Sequence, residues 1–206
     1  MKGHPLPPGF ALDITCNDPD DNRPWDFDQK DKREKARKLL RETKPLFLIG
    51  SPMCTAWCTW QRINRLKRDP NTVQRELVKA RLHLNFVIEL YLDQVAAGRY
   101  FLHEQPRSAA SWEEPMMEVL SRAPGVQTIT ADQCQLGAEV PSGPNRGQPV
   151  KKATGFMSNA PQLLRCLNVR CHGHGWCSRS KGGQHVTVQG SITRGRPSTP
   201  TNYAVP

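Results

Sequence analysis

The sequence predicts an α/β domain in which crossover helices connect the strands of a parallel sheet. Three observations carry that expectation: strand and helix patterns alternate along the middle of the chain, the strongest strand is apolar throughout, and the longest helix is amphipathic. The run Pro45-Leu46-Phe47-Leu48-Ile49-Gly50 is continuously apolar, as a strand buried on both faces requires, and it closes on glycine. Before it, residues 29–43 set Ala36, Leu39 and Leu40 on one face of a highly charged segment, a helical spacing with a solvated reverse side. After it, Asp69-Pro70-Asn71 opens a long helix in which Val73, Leu77, Ala80, Leu84, Ile88, Tyr91 and Val95 recur every three or four residues. Gly98 closes that helix.

Residues 99–104 (RYFLHE) are short, aromatic and bounded by Pro106, which predicts the next strand. Ser111-Trp112-Glu113-Glu114 has the spacing of a capping box and predicts a helix through Met117 and Leu120 that stops near Pro124-Gly125. Residues 126–131 alternate as a strand does, 137–148 read as loop, 150–159 as a further strand and 161–165 as a short helix. In the Pro- and Asp-rich opening, the phrase at 10–14 (FALDI) is compatible with one strand. The expected organisation is therefore an irregular segment over 1–24, an α/β core over 25–165, a Cys/His-rich segment over 166–188 and a disordered tail over 189–206.

The 206 residues suffice for one domain with a real core. With 29 Lys and Arg against 19 Asp and Glu, the net charge of +10 favours a polyanionic partner, DNA with RNA not excluded, over a merely solvated basic surface. No apolar run approaches the roughly 20 residues needed to span a bilayer, and MKGHPLPPGF has no hydrophobic signal core. The expectation is an intracellular protein, nuclear or cytoplasmic, without membrane contact. Seven scattered cysteines point to thiol chemistry or metal binding and away from a disulfide framework.

In open α/β sheets, reacting groups collect beyond the carboxyl ends of the strands. Cys54 follows the strand ending at Gly50, and Glu104 ends the strand beginning near Arg99. A right-handed crossover would bring this thiol and this carboxylate to one rim. Such a pair suits addition to an electron-poor ring, the sulfur attacking carbon while the acid contacts the ring nitrogen that gains charge. For each residue alone, a buried structural cysteine and a surface carboxylate are the plainer readings.

Phe47-Leu48-Ile49-Gly50-Ser51-Pro52-Met53-Cys54 resembles the Pro-Pro-Cys loop of cytosine-C5 DNA methyltransferases, and His103-Glu104-Gln105-Pro106 resembles that family's Glu-Asn-Val motif. The order of PWDF, GSPMCTAW, GRYFLHEQP, ADQCQLG and KKATGFMSN is similar to methyltransferase-like domains of retroelement polyproteins and some phages, over about 10–159. The resemblance implies a Rossmann-like sheet of methyltransferase type that lacks its first strand. It further implies Cys54 as nucleophile toward cytosine C6, Glu104 at N3, a loop stiffened by Pro52, and S-adenosylmethionine as methyl donor to a flipped-out base. Asp26 would then lie against the cofactor's adenine, with a helix N-terminal acid as the alternative, and Asp13 or Asp18 would bind its ribose. Lys151 and Lys152 would contact phosphate, or belong to a solvated basic surface.

The family's glycine-rich first motif is missing, Met53 stands for the loop's second proline, Gln105-Pro106 replaces Asn-Val, and no Gln-x-Arg-x-Arg phrase is present. Two function classes follow: a cytosine-C5 methyltransferase, or a catalytically inactive nucleic-acid-binding module derived from a mobile-element polyprotein. A cysteine hydrolase pairing Cys54 with His103 ranks below both, because His103 and Glu104 alternate to opposite faces of their strand. Cys166, Cys171, His172, His174, Cys177 and His185 crowd a segment too small for its own core. Zinc held by Cys166, Cys171, His174 and Cys177 is one expectation, and a loose basic tail is the other.

Overall fold

The computed structural model describes residues 9–179 and 182–186. The disordered tail expected over 189–206 lies outside the described residues. The helices are α1 (Lys30–Thr43), α2 (Thr59–Asn64), α3 (Pro70–Ala96), α4 (Pro115–Ser121) and α5 (Pro161–Leu167). The strands are β1 (Phe47–Gly50), β2 (Tyr100–Pro106), β3 (Gln127–Asp132) and β4 (Ala153–Ser158). They form one sheet in the order β1-β2-β4-β3.

The α/β class stands, with one correction to the sheet. β1 and β2 pair in parallel, but β4 is antiparallel to both of its neighbours, so the sheet is mixed. The reason lies in the connection. Between β3 and β4 the chain makes a short 3-10 turn and a loop carrying Gly137, Gly143 and Gly147, all at positive φ, with no crossover helix to reverse its direction again. β1, β2 and β3 therefore point the same way, and their carboxyl ends share one edge with the start of β4.

The long helix dominates the core. Asp69 caps α3 by accepting from the Thr72 backbone N–H at 2.8 Å, and Gly98 at φ +68° follows its end. Two stripes of α3 are buried. Leu84, Ile88 and Tyr91 pack with Phe101, Met117, Leu120 and Met157, while Phe86 and Leu90 pack with Trp25, Ala36 and Leu40 of the α1 region. Tyr91 lies over Phe101 with ring centroids 4.6 Å apart. On the other sheet face, Leu102, Ala131 and Phe156 receive Leu164 of α5.

Two local expectations fail. Residues 10–14 form no strand; Asp13 instead opens a turn by accepting from the Thr15 N–H and hydroxyl. Ser111 caps no helix, because it sits within the 3-10 turn Ala110–Glu113, and α4 begins at Pro115 with Glu114 at its cap. Among the described residues no helix is long and apolar enough to cross a membrane.

Candidate functional site

The register Gly50↔His103 places the loop after β1 beside the end of β2. Two consecutive side chains of β2 clasp that loop: Glu104 Oε2 accepts from Ser51 Oγ at 2.5 Å, and Gln105 Nε2 donates to the Pro52 carbonyl. Gln105 is buried, and so is the second carboxylate oxygen of Glu104, which has no hydrogen-bond partner among the described residues. Cys54 follows in the same loop and leads the 3-10 turn Thr55–Trp57, anchored by the buried Trp57. Gly50 is required here, because a Cβ at this position would lie 2.0 Å from the Tyr91 hydroxyl.

The half-buried Cys54 thiol feels the charges of both Glu104 and Lys152. Burial raises the thiol above its ordinary pKa, the Lys152 ammonium opposes that rise, and the Cys58 and Glu104 charges add to it. Glu104 on β2 thus reaches the loop of Cys54 through Ser51, three residues ahead of the thiol. Gln105, which departs from the family motif, is the residue that sequence reasoning passed over; its signal is a polar side chain next to the carboxylate.

His103 takes no part. It is buried on the other face between Tyr91, whose hydroxyl lies 3.3 Å from Nδ1, and the edge of Trp112. Burial lowers its pKa to about 4, so it is neutral at physiological pH.

The expected cofactor acids are engaged elsewhere. Asp13 serves its own turn, and Asp26 accepts from the Asp28 N–H at 2.9 Å in the turn before α1, whose cap is Gln29. Asp18 is fully buried against Lys32 Nζ at 2.7 Å and Lys35 Nζ at 2.6 Å. Burial alone would raise the Asp18 carboxyl, but these ammonium groups and the Asp20 N–H bring it down to about 2. Pro52 offers the rim only its carbonyl, which Gln105 occupies. Phe10, Leu12, Asp18, Trp25 and Lys35 line an open surface cavity, and Asp13, Asp26 and Pro52 are not among its lining residues.

At the far end of the same edge lies a second centre. The chain leaves β3 into a 3-10 turn, Gln133–Leu136, that buries Cys134 completely. Cys171, Cys177 and His185 close around it, so that one donor atom from each of the four lies within 4.8 Å of the others. Cys171 Sγ stands 3.9 Å from Cys177 Sγ, too far for a disulfide, and 3.4 Å from His185 Nε2. This buried Cys3His set could hold a metal ion. Donors point at the sulfurs, as thiolate ligands require: Ser178 N and Oγ each lie 3.5 Å from Cys171 Sγ, and Gln135 Nε2 lies 3.4 Å from Cys177 Sγ. Burial would raise the Cys171 thiol, but the Ser178 donors outweigh it and bring it to about 5, while burial and the neighbouring sulfurs push Cys134 up to about 12.

Three pieces of backbone hold the centre. Asp132, the last residue of β3, accepts from the Cys171 N–H at 2.9 Å and from Arg170 Nε at 3.0 Å. The Cys177 N–H donates to the Gly183 carbonyl and the His185 N–H to the Gly175 carbonyl, both at 2.8 Å. Lys151 Nζ donates to the Cys171 and Gly173 carbonyls at 3.3 and 2.9 Å and so braces the loop. Two members of the sequence-expected set belong to this centre, Cys171 and Cys177. The other two do not: Cys166 faces solvent from α5, and His174 is exposed on the loop. Cys134 and His185 take their places. Cys134 had a legible signal, since it follows a strand at the sheet's carboxyl edge just as Cys54 does.

No family model, curated protein or solved structure matches this chain.

Proposed function

We propose that this chain is a nucleic-acid-binding module that keeps a pyrimidine-directed rim of the cytosine-C5 methyltransferase type. The observation that carries the reading is the clasp at the carboxyl edge of the parallel pair β1 and β2, where Glu104 at the end of β2 accepts from Ser51 in the loop that leads to Cys54. There the Cys54 thiolate adds to C6 of a pyrimidine, the ring takes the electron pair toward C5 and N3, and a solvent proton completes the adduct. Elimination reverses the step. Glu104, held by Ser51, meets the ring nitrogen, and Lys152 eases ionisation of the thiol. Asp13, Asp18 and Asp26 are engaged in turns and ion pairs, so the chemistry assigned to this rim is reversible addition without methyl transfer.

Covalent capture tests the rim without a methyl donor. An oligonucleotide in which 2-pyrimidinone replaces one cytosine forms a persistent C6 adduct, visible as a shifted band. The full chain is expected to form it, faster as pH rises through the alkaline range where the raised thiol ionises; Cys54→Ala forms none, and Glu104→Gln forms it more slowly. A Cys54→Ala protein that crosslinks as well as wild type, or a wild type that never does, overturns the reading.

For the Cys3His set the ion we propose is zinc. A tetrahedron with Zn–S near 2.3 Å and Zn–N near 2.0 Å has S···S edges of about 3.8 Å and S···N edges of about 3.5 Å. The 3.9 and 3.4 Å separations of Cys171 from Cys177 and His185 suit those edges. Four protein donors leave no open position, which makes the centre structural.

A further inference from the structure

Charge is divided unevenly along the chain. Residues 1–139 carry 20 Lys and Arg against 19 Asp and Glu, whereas residues 140–206 carry nine Lys and Arg and no acid at all. Nearly the whole net charge of +10 therefore belongs to the last third. A solvated surface has no reason to exclude one sign of charge over so long a stretch; a surface that meets phosphates has.

Within that acid-free third, the loop 171–177 displays one large aromatic ring. Trp176 is 69% exposed, although the residue after it, Cys177, is buried among the metal donors. The loop is tightly built. Trp176 bridges Gln184, its neighbours Gly175 and Cys177 are bonded to His185 and Gly183, and a Cβ on Gly173 would fall 1.7 Å from the Trp176 carbonyl oxygen. The exposed His172 and His174 flank the ring in sequence, and the half-exposed Arg170 precedes the loop. A ring fixed by its backbone and open to solvent loses little conformational freedom when a flat partner stacks on it.

We infer that the metal-held loop 171–177 is the stacking platform of this protein for single-stranded nucleic acid, with Trp176 taking an unpaired base and the Lys and Arg side chains of the last third of the chain taking the phosphates. The inference deepens the nucleic-acid reading above and rests on it. The partner is single-stranded because the faces of paired bases are already stacked, whereas an unpaired base offers its face to an exposed indole. Stacking of this kind is sequence-tolerant, so the loop anchors a strand and leaves base choice to the rim around Cys54.

The test is fluorescence anisotropy of the zinc-loaded full chain with labelled oligo-dT, oligo-U and a DNA duplex across a salt series. Trp176→Ala is expected to weaken both single strands by roughly 5- to 100-fold. Trp176→Phe should recover most of that affinity, duplex binding should change less than twofold, and zinc content should stay unchanged in both variants. If wild type binds single strands and Trp176→Ala binds them equally well, the platform is elsewhere and the nucleic-acid reading survives. If wild type binds no oligonucleotide at low salt, or binds anionic phospholipid vesicles in preference, both fall.

Discussion

The two ends of this molecule are held together by different physics. Around α3, buried side chains from Leu84 to Leu120 and Met157 form a continuous apolar cluster in which each residue has several neighbours. Around Cys134 the buried cluster holds only three cysteines. The first region is stabilised by removal of apolar area from water, a sum of many small contributions. The second has no such sum to draw on, and with the proposed ion bound its order would depend on four donors sharing it. A region of the first kind weakens gradually under mutation, and one of the second kind behaves as a switch.

Taking the metal away should separate the two most sharply. Structural zinc in small domains supplies apparent binding energies of about 10–16 kcal/mol, and that energy is folding energy for the segment it closes. Chelation or Cys134→Ser is expected to abolish zinc binding and to expose residues 171–186 to fast hydrogen exchange, while α3 and β2 keep their protection. Cys166→Ser should retain a full equivalent of zinc. Metal analysis combined with exchange mass spectrometry reads both, and a Cys134→Ser chain that still holds one zinc would show that the ligand set is wrong.

Acid gives a smaller effect, centred on the apolar region. His103 is buried neutral, with its pKa lowered from 6.5 to about 4. Between those values the unfolded chain binds a proton that the folded chain does not, so stability falls as pH drops from 6.5 and levels off below 4. The full loss is on the order of 3 kcal/mol for a shift from 6.5 to about 4. Urea unfolding at pH 7 and pH 4.5 in a Cys134→Ser background removes the metal's own acid sensitivity from the comparison. There, His103→Gln should show a much shallower pH dependence than the parent, and parallel profiles would reject the assignment.

The contrast also explains which features were legible in the sequence. Period and punctuation revealed α3 because Leu84, Ile88 and Tyr91 fall on one stripe between Asp69 and Gly98, information contained in the segment itself. The direction of β4 was not contained in its segment, since alternation looks the same in parallel and antiparallel strands and the connection decides between them. The placement of Cys54 just after β1 and of Glu104 near the end of β2 was legible because a strand's end can be read from its own segment. The metal set was half legible. Closeness in sequence grouped Cys166 and His174 with Cys171 and Cys177, although their spacings match no standard zinc-finger pattern, but the centre is assembled from three separated segments, and only the folded sheet end brings Cys134 to Cys171 and His185.

The smallest expected effect decides between two adjacent lysines. Lys151 Nζ bonds the Cys171 and Gly173 carbonyls, whereas Lys152 lies within electrostatic reach of Cys54. Net hydrogen-bond contributions of about 0.5–1.5 kcal/mol imply that Lys151→Met speeds zinc release by only about 2- to 10-fold, measured with a colorimetric chelator. Because that ammonium is directed at carbonyls, its removal should leave the salt dependence of nucleic-acid binding unchanged. Lys152→Met should leave zinc release alone and, if Lys152 meets a phosphate at the rim, reduce the slope of log K against log salt by about 0.7–0.9. The reverse pattern, a lower slope for Lys151→Met with unaltered zinc release, would mean that the metal-held end binds phosphate through Lys151 and that the bonds bracing its loop are not maintained in solution.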